Sequence, residues 1–306
     1  MRTPFSHVIF IASKHNIFIT GLVFVFMFQV SIFSLWAEEK TGSELSLSET
    51  VELALDFNSK KRTGTSFLSP EDVTFLVKKY YYQIQTQVEQ LDLAEEVRDH
   101  FQKAVDKSGE NLEEGEGDVS QSDLTKMKLG LSDTLNDIIG LKHKMQIAKL
   151  QLGELIGKEL KPSSDIVTTD IVPVPFLYSS FDEYLKAKSA SQLSENSEGK
   201  VGMATSKTIG KISIKLSEGD RLTLHKAFII VKEAEAKVTL GKKNRKITRA
   251  LLVSEVANYD FGIGDPQELF QAFIIYAHVL NGYLGSIFTL NIAVAELEKL
   301  TDAVYK

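Results

Sequence analysis

The segment from Asp265 to Leu300 reads DPQELFQAFIIYAHVLNGYLGSIFTLNIAVAELEKL, and its apolar residues decide the fold. One apolar set keeps alternating steps of four and three residues over more than three heptads, which is the pattern of a coiled-coil helix. A second apolar stripe runs beside the first, so this helix is predicted to pack on neighbours beyond its own hairpin partner. The first stripe is Leu269, Phe273, Tyr276, Leu280, Tyr283, Ile287, Leu290, Val294 and Leu297, and the second is Phe270, Ile274, Ala277, Leu284 and Phe288.

Another long helix is predicted immediately before this one. It runs from Asp220 to about Tyr259, and the turn at residues 261–264 separates the two helices. Asp265 and Pro266 provide a capped start for the last helix, because a short acidic side chain accepts hydrogen bonds from the first turn and proline fits its first position. The two helices are therefore predicted to form an antiparallel hairpin.

A similar hairpin is predicted earlier in the chain. A heptad pattern extends from Pro70 to Leu112, with Ser69 as its cap, and a second helix follows from Ser120 to Gly157. A shift of 145 residues, which places Leu124 on Leu269, aligns the two hairpins. This self-similarity indicates an internal duplication.

Each repeat is predicted to consist of a short amphipathic helix, a linker and a long hairpin. The short helices are residues 45–57 and 181–190. Pro173 and Pro175 exclude helix from the segment between the repeats. We place the first repeat at residues 38–162, an extended linker at 163–179, and the second repeat at 180–306 with a flexible loop at 193–218 that contains one candidate strand.

Residues 1–37 are interpreted as an export signal. An uncharged, mostly apolar run from Asn16 to Ala37 follows Arg2 and Lys14, and Ala37 suits cleavage by signal peptidase. The run is also long enough to span a bilayer, so a retained N-terminal anchor is the alternative. Under either interpretation, the rest of the chain is expected outside the cytoplasm.

Composition and motifs exclude several classes of protein. The 306 residues include no cysteine, which excludes thiol nucleophiles, cysteine-based zinc sites and disulfides. A formal net charge of −6 argues against a nucleic-acid partner. Histidines are scattered, with no H-x-x-x-H pair, and neither G-x-S-x-G nor a P-loop is present. The sequence therefore predicts no enzyme, no catalytic residue, no cofactor and no metal site.

The hairpin turns are the predicted functional points. Lys107 is the one basic residue among the acids of the first turn, and residues 250–268 around the second turn include no basic residue. If the tips converge in an oligomer, their carboxylates would surround an opening and favour cations. The alternative is that these acids cap helices or lie on a solvated surface. Gly117, Gly262 and Gly264 are predicted to supply positive φ. The candidate tip residues are Gly115, Glu116, Gly117, Asp118, Asp260, Phe261, Gly262, Gly264 and Asp265.

Two sets of basic residues lie on predicted helices. The run at 242–249 is interpreted as a solvated face, and a patch that docks acidic partner helices or lipid head groups is the alternative. Three lysines interrupt the apolar seam of the second long helix. This face is therefore predicted to be more exposed to water than the corresponding face of the last helix. That face either lines a water-filled interior or lies outside a smaller bundle. The lysines are Lys128, Lys142 and Lys149, and the basic run comprises Lys242, Lys243, Arg245, Lys246 and Arg249.

Three segments resemble the TolC-type outer-membrane efflux proteins. Residues 259–269 (YDFGIGDPQEL) and 283–298 (YLGSIFTLNIAVAELE) resemble the last hairpin of that family, and residues 45–58 (LSLSETVELALDFN) resemble its first short helix. The resemblance implies a homo-oligomer, a trimer, whose helices form a hollow tube across the periplasm of a Gram-negative bacterium. It also implies that the turns form an inner tip, which meets a periplasmic adaptor and an inner-membrane transporter.

The chain departs from that family upstream of the first long helix. Family members insert two membrane strands there, and a transmembrane strand needs about 9–11 residues, whereas only the segment 59–69 is available. The predicted fold is therefore all-α and TolC-like without a complete β-barrel, with two repeated long antiparallel coiled-coil hairpins that each follow a short helix.

Three functions remain open at this point. The first is an envelope efflux or secretion component that docks adaptor or pump partners through its hairpins. The second is a barrel-less periplasmic coiled-coil scaffold with no channel activity. The third is a membrane-anchored sensor or tether that retains residues 16–37. Outer-membrane association is not decided by the sequence.

Overall fold

The computed structural model describes residues 45–60, 68–115, 119–160, 170–198 and 216–305, with only the backbone of 192–198. These residues form six α-helices and no β-strand. A short helix is followed by two long ones, and this order then repeats, which confirms the predicted all-α fold of two long hairpins that each follow a short helix. The helices are α1 (Leu47–Lys60), α2 (Pro70–Glu114), α3 (Gln121–Ile156), α4 (Phe181–Glu198), α5 (Glu218–Asp260) and α6 (Pro266–Tyr305).

Serine caps and glycine stops set the ends of three long helices. Ser69, Ser120 and Ser217 cap α2, α3 and α5, and each side chain accepts a hydrogen bond from the backbone N–H three residues on. Such a cap contributes about 1 kcal/mol. Gly115 and Gly157 end α2 and α3 with φ values of 68° and 66°, a left-handed conformation that glycine adopts without steric cost.

Two predicted boundaries are corrected by the structure. Helix α5 begins two residues before Asp220 because Ser217 caps it. Helix α4 continues to Glu198, so residues 193–198 are helical instead of belonging to a loop. The first glycine or proline after the start of α4 is Gly199, and nothing before it stops the helix. Residues 199–215 and the export signal at 1–37 lie outside the described residues, and the repeat boundaries stay predictions.

The two hairpins pack on each other through α2 and α6, so α3 and α5 are the outer long helices. Helix α6 contacts both α5 and α2, which is the arrangement that its double apolar stripe predicts. Ion pairs of 2.7 Å join Lys78 to Glu298 and Lys299 to Asp72. These pairs link the first turns of α2 to the last turns of α6, and the two helices run antiparallel.

One apolar cluster near the tips includes residues from all four long helices, and we call it the tip core. Phe101 of α2 and Phe273 of α6 meet in it with ring centroids 4.7 Å apart. A Cβ atom on Gly130 of α3 would lie 2.7 Å from the Phe101 ring, so this close approach requires glycine. The hairpins therefore share a core. Its buried members are Leu93, Val97, Phe101, Ala104, Met127, Leu252, Tyr259, Leu269, Ala272, Phe273 and Tyr276.

The predicted linker contributes a non-helical segment, Asp170–Tyr178, that we call the strap. Asn291 of α6, which is 1% exposed, holds its middle. The Asn291 side-chain oxygen accepts from the backbone N–H of Val174 at 2.8 Å, and its amide nitrogen donates to the carbonyl of Val172 at 2.9 Å. One buried side chain thus satisfies two backbone groups of the strap.

The ends of the strap are held by two other helices. Glu89 of α2 accepts a hydrogen bond from the backbone N–H of Ile171, and Lys232 of α5 donates to the carbonyl of Tyr178 at 3.4 Å. Burial raises the pKa of Glu89. With Asn291 between these contacts, the strap crosses from the first hairpin to the second.

The short helices pack at the hairpin ends remote from the tips. Asn58 of α1 donates to the carbonyl of Leu155 in α3 at 2.9 Å. On α4, the buried hydroxyl of Tyr184 lies 2.7 Å from that of Thr301 in α6. Each short helix therefore braces the base of the hairpin that follows it.

The apolar seam of α6 is buried at most of its predicted positions, with Leu280 and Tyr283 half-buried. Helix α6 is also the one described helix whose length and hydropathy would suit a membrane span; its apolar seams pack on α5 and α2. On α3, Lys128 and Lys142 are exposed, but Lys149 is 9% exposed, so the predicted wet face does not include it. Ala148 and Leu152, beside it on α3, belong to an apolar cluster that also includes Ala54 of α1.

Candidate functional site at the hairpin tips

The second turn is held by its own backbone hydrogen bonds. The backbone N–H groups of Ile263 and Gly264 both donate to the carbonyl of Asn258 at 3.0 Å. Gly262 has the predicted positive φ, 74°. Gly264 does not have positive φ, so that prediction is wrong. Glycine is needed there for space, because a Cβ atom would lie 2.7 Å from the backbone nitrogen of Tyr259.

The side chains of the second turn face solvent. Phe261 is 81% exposed and Ile263 is 78% exposed, between the exposed acids Asp260 and Asp265. Asp265 caps α6, since its carboxylate accepts from the backbone N–H of Gln267 at 2.7 Å. The capping interpretation therefore accounts for Asp265. An exposed aromatic and aliphatic pair at a hydrogen-bonded turn is the kind of feature that partner proteins bind.

The first turn is described only at its edge. Gly115 is exposed, and its backbone N–H donates to the carbonyl of Asn111 as α2 ends. Glu116, Gly117 and Asp118 lie outside the described residues, so the predictions made for them stay predictions.

The two tips are joined by a polar contact that we call the tip bridge, formed by Lys107 and Ser108 of α2 and Tyr259 of α5. The Lys107 ammonium donates to the carbonyls of Tyr259 and Asp260 at 3.0 and 2.9 Å. A lysine suits this place because the last carbonyls of a helix lack partners and carry partial negative charge. The buried hydroxyls of Ser108 and Tyr259 lie 2.6 Å apart.

The sequence does not reveal the tip bridge. Lys107 was visible as the single base among the acids of the first turn, but its partners are backbone carbonyls of the distant second turn. Burial raises the pKa of Tyr259, so its hydroxyl stays protonated and can donate. The second turn thus lies against α2 about two helical turns before that helix ends, and exposed acidic and apolar side chains of the second turn surround the contact. Among the described residues, no cluster of His, Asp and Glu suits a metal ion.

Tyr259→Phe is expected to loosen the tips. The change leaves the buried Ser108 hydroxyl without its partner, which costs about 1–2 kcal/mol. Amide hydrogen exchange at residues 257–264 should accelerate several-fold, while exchange at the base of the hairpins stays unchanged.

Tyr80→Phe is the matched control, because Tyr80 is half-buried on the same helix as Ser108 but far from the tip. Equal exchange in the wild type and in Tyr259→Phe would mean that the hydrogen bond between Ser108 and Tyr259 does not hold the turn in place.

Solved structures of outer-membrane channels match the fold of this chain. The outer-membrane channel OprN matches over 83% of this chain and 70% of its own, with a TM-score of 0.55 and 11% identity. The chain has the helical fold of these TolC-type channels. CusC, in structures that concern its folding and transmembrane channel formation, matches over 83% of this chain and 73% of its own, with a TM-score of 0.52 and 14% identity. No protein-family model and no curated protein matches the sequence.

The TolC-type fold extends over both hairpins. A match over 83% of the chain cannot be confined to one repeat, because each repeat holds less than half of the residues. At these low identities the likeness shows the fold alone. The resemblance predicted from residues 45–58, 259–269 and 283–298 is confirmed at that level.

Proposed function

We propose that this chain is an envelope transport component whose copies associate side by side into a helical tube. The observation that carries the proposal is the channel fold with an unpartnered apolar stripe on each outer helix. The fold supports a location in the cell envelope, at the outer membrane or in the periplasm. The protein catalyses no reaction in this role and acts by contact and shape.

The stripe of α5 consists of five exposed aliphatic residues. Their intervals of seven, eleven, seven and four positions place them on one side of the helix. A shorter exposed stripe lies on α3. Exposed apolar rows of this length mark contact surfaces. The α5 stripe is Leu222, Ile229, Leu240, Ile247 and Leu251, and the α3 stripe is Leu135, Ile139 and Leu150.

The two stripes lie at similar distances from the tip ends of their own helices. Leu135 of α3 and Ile247 of α5 each lie roughly four helical turns from the tip end of their helix. Leu150 of α3 and Ile229 of α5 each lie between about eight and nine turns from the tip end of their own helix. At a rise of about 1.5 Å per position, the members of each pair differ by roughly 3 Å or less in distance from the tip end of their own helix. A neighbouring copy placed with these helix ends level would therefore bring the α3 stripe against the α5 stripe.

Such a contact is head-to-tail, since different surfaces of the two copies meet, and it closes into a ring when the rotation suits. Three copies, the number that the family resemblance implies, would enclose a passage. The exposed turns would then form one end of the tube. A periplasmic adaptor and an inner-membrane transporter are the partners we propose for that end.

Ile247→Glu combined with Leu240→Glu is expected to abolish self-association. The carboxylates would be buried against apolar side chains of the next copy, which is unfavourable by several kcal/mol. Light scattering after size-exclusion chromatography should show wild-type oligomers and variant monomers of unchanged helical content.

Leu177→Glu serves as the control, because Leu177 is an exposed aliphatic residue of the strap outside both stripes. Wild-type chains that remain monomeric, or a stripe variant that still assembles, would refute the tube.

A scaffold without channel activity is the second candidate. Only the segment 61–69 separates α1 from α2, which is too short for two membrane strands of about 9–11 residues each. Conductance in planar bilayers discriminates between the two. Oligomers that conduct ions support the channel, and oligomers that do not conduct support the scaffold.

A further inference from the structure

The apolar core of the four long helices is interrupted about halfway between the tips and the base. The tip core ends there, and two separate apolar clusters fill the base, one in each hairpin. Between them, each long helix has a stretch of seven to nine residues in which no apolar side chain is fully buried. We call these stretches together the waist: residues 85–92 of α2, 139–147 of α3, 239–247 of α5 and 277–283 of α6.

The four stretches lie at one level of the bundle. Gln90 of α2, Gly140 of α3 and Asn281 of α6 line one cavity of about 260 Å³ that opens to solvent. On the other side of α6, Gly241 of α5 lies against Tyr283. All four helices continue through this level. The waist is therefore one layer across the molecule, with intact helices and an interrupted core.

The side chains that α2 buries in the waist are polar. Gln85, Thr86 and Gln87 follow one another and are 8%, 6% and 6% exposed. The Thr86 hydroxyl donates to the carbonyl of Tyr82 at 2.7 Å, whereas the buried amide oxygen of Gln87 has no hydrogen-bond partner in the described part of the chain. A buried acceptor without a partner disfavours close packing around it, because water would satisfy it if the layer opened.

Glycines interrupt two of the waist stretches where packing does not require them. A Cβ atom on Gly140 of α3 or Gly282 of α6 would meet no neighbouring atom within 4 Å, and the same holds for Gly285 just beyond the waist. Alanine would fit these positions, and it favours a helix more strongly than glycine does. Helices α3 and α6 are thus weakest at the level where their apolar core is interrupted.

One contact joins α5 and α6 within the waist. Gly241 allows a close approach of the two helices, because a Cβ atom there would lie 3.0 Å from the ring of Tyr283. The guanidinium of Arg245 lies 5.4 Å from the centre of the same ring. Tyr283 therefore keeps α5 and α6 in contact at this level.

We propose that the waist is a hinge, about which the tip core moves as one body relative to the base of both hairpins. Low density of buried apolar contacts is the property that local opening requires, and hinges concentrate a movement in a few residues between packed bodies. The inference goes beyond the proposed function, because it concerns motion within one copy and applies to a tube and to a scaffold alike. The tips change direction while the base keeps its short helices in place.

Amide hydrogen exchange along α6 is the first test. Amides of residues 277–283 should exchange at least about tenfold faster than those of 269–276 and 287–297, because opening of the waist breaks neither apolar core. Equal protection along the whole helix would overturn the proposal.

Alanine variants strengthen the helices at the waist. Gly140→Ala, Gly282→Ala and Gly285→Ala fit the open space at each position, and each should slow the exchange of surrounding amides about fivefold. Gly109→Ala on α2 is the matched control, because its Cβ atom would also meet no neighbouring atom within 4 Å but lies near the tip. This control should leave exchange at the waist unchanged.

Distances between spin labels distinguish a hinge from a helix that is only locally weak. The chain has no cysteine, so labels attach only to introduced ones. Ser132 lies on the tip side of the waist, Gln151 and Lys226 lie on the base side, and all three are exposed. Double electron–electron resonance on labelled copies diluted in unlabelled chain measures distances within one copy. The pair at 132 and 226 should give a broader distribution than the pair at 151 and 226, and the three alanines together should narrow the first distribution to the width of the second.

Equal widths for the two label pairs would refute the hinge, and so would a first distribution that the three alanines leave unchanged. Light scattering on the same samples reports self-association separately. Chains that assemble without bending at the waist would refute the hinge and leave the tube standing, and chains that bend but stay monomeric would refute the tube alone.

Discussion

Phe273→Ala is expected to destabilise the protein by about 3–5 kcal/mol, the usual cost of removing a buried aromatic side chain. Phe273 is 1% exposed. Its ring packs on that of Phe101 at 4.7 Å and stacks with His100 at 5.7 Å. Because helices of both hairpins surround this position, the resulting cavity is expected to weaken their attachment to each other. Urea unfolding followed by circular dichroism measures the loss.

The adjacent residue provides the control for this prediction. Ile274 is 43% exposed, so Ile274→Ala should cost less than about 1 kcal/mol. Phe273→Ala should also accelerate hydrogen exchange near Phe101 in the first hairpin. Faster exchange confined to α5 and α6 would show that the hairpins are stable independently, in contradiction to the shared tip core.

Asn291→Leu is expected to cost about 2–4 kcal/mol, although the new side chain is more apolar and of similar size. The change leaves the N–H of Val174 and the carbonyl of Val172 without their partner, and each unpaired backbone group costs about 1–3 kcal/mol where water does not replace it. The strap should detach from α6. Limited proteolysis at residues 170–178 and urea unfolding measure the two effects.

Two further variants test the reason for that loss. Gln271→Leu makes a comparable change at an exposed position of α6 and should alter stability by less than about 0.5 kcal/mol. Asn291→Asp keeps an acceptor for Val174 but buries a carboxylate, whose pKa burial raises. Its folded state then binds the proton more tightly, so this variant should regain stability as the pH falls toward about 3.9. Strap cleavage that is equal in all variants would exclude a role for Asn291.

Local signals predicted most of the helices. Ser69 and Ser120 mark helix starts through hydrogen bonds within four residues, and the seam of α6 follows from heptad spacing, which depends only on the pitch of a helix. The same reasoning failed where close packing decides which residue fits. Gly264 follows a turn glycine and looks like one, but its φ is not positive and the nearby Tyr259 nitrogen excludes a side chain.

The double stripe of α6 predicted that a second helix packs on it, but not which helix. An apolar surface reports that something covers it, and many helices of the right length could do so. Lys149 shows the same limit, since a lysine in a seam predicts a face exposed to water, whereas the structure buries this side chain.

Local sequence was enough to predict the four long helices, the caps Ser69 and Ser120, the two hairpins and the likeness to the TolC type, because each of these follows from residues within a few turns of one another. The placement of whole helices decided that α2 packs on α6, that Lys107 reaches Tyr259, and that Asn291 holds the strap. These contacts join residues that are far apart in the chain. Their formation depends on how whole helices are placed in space, which short-range periodicity does not encode.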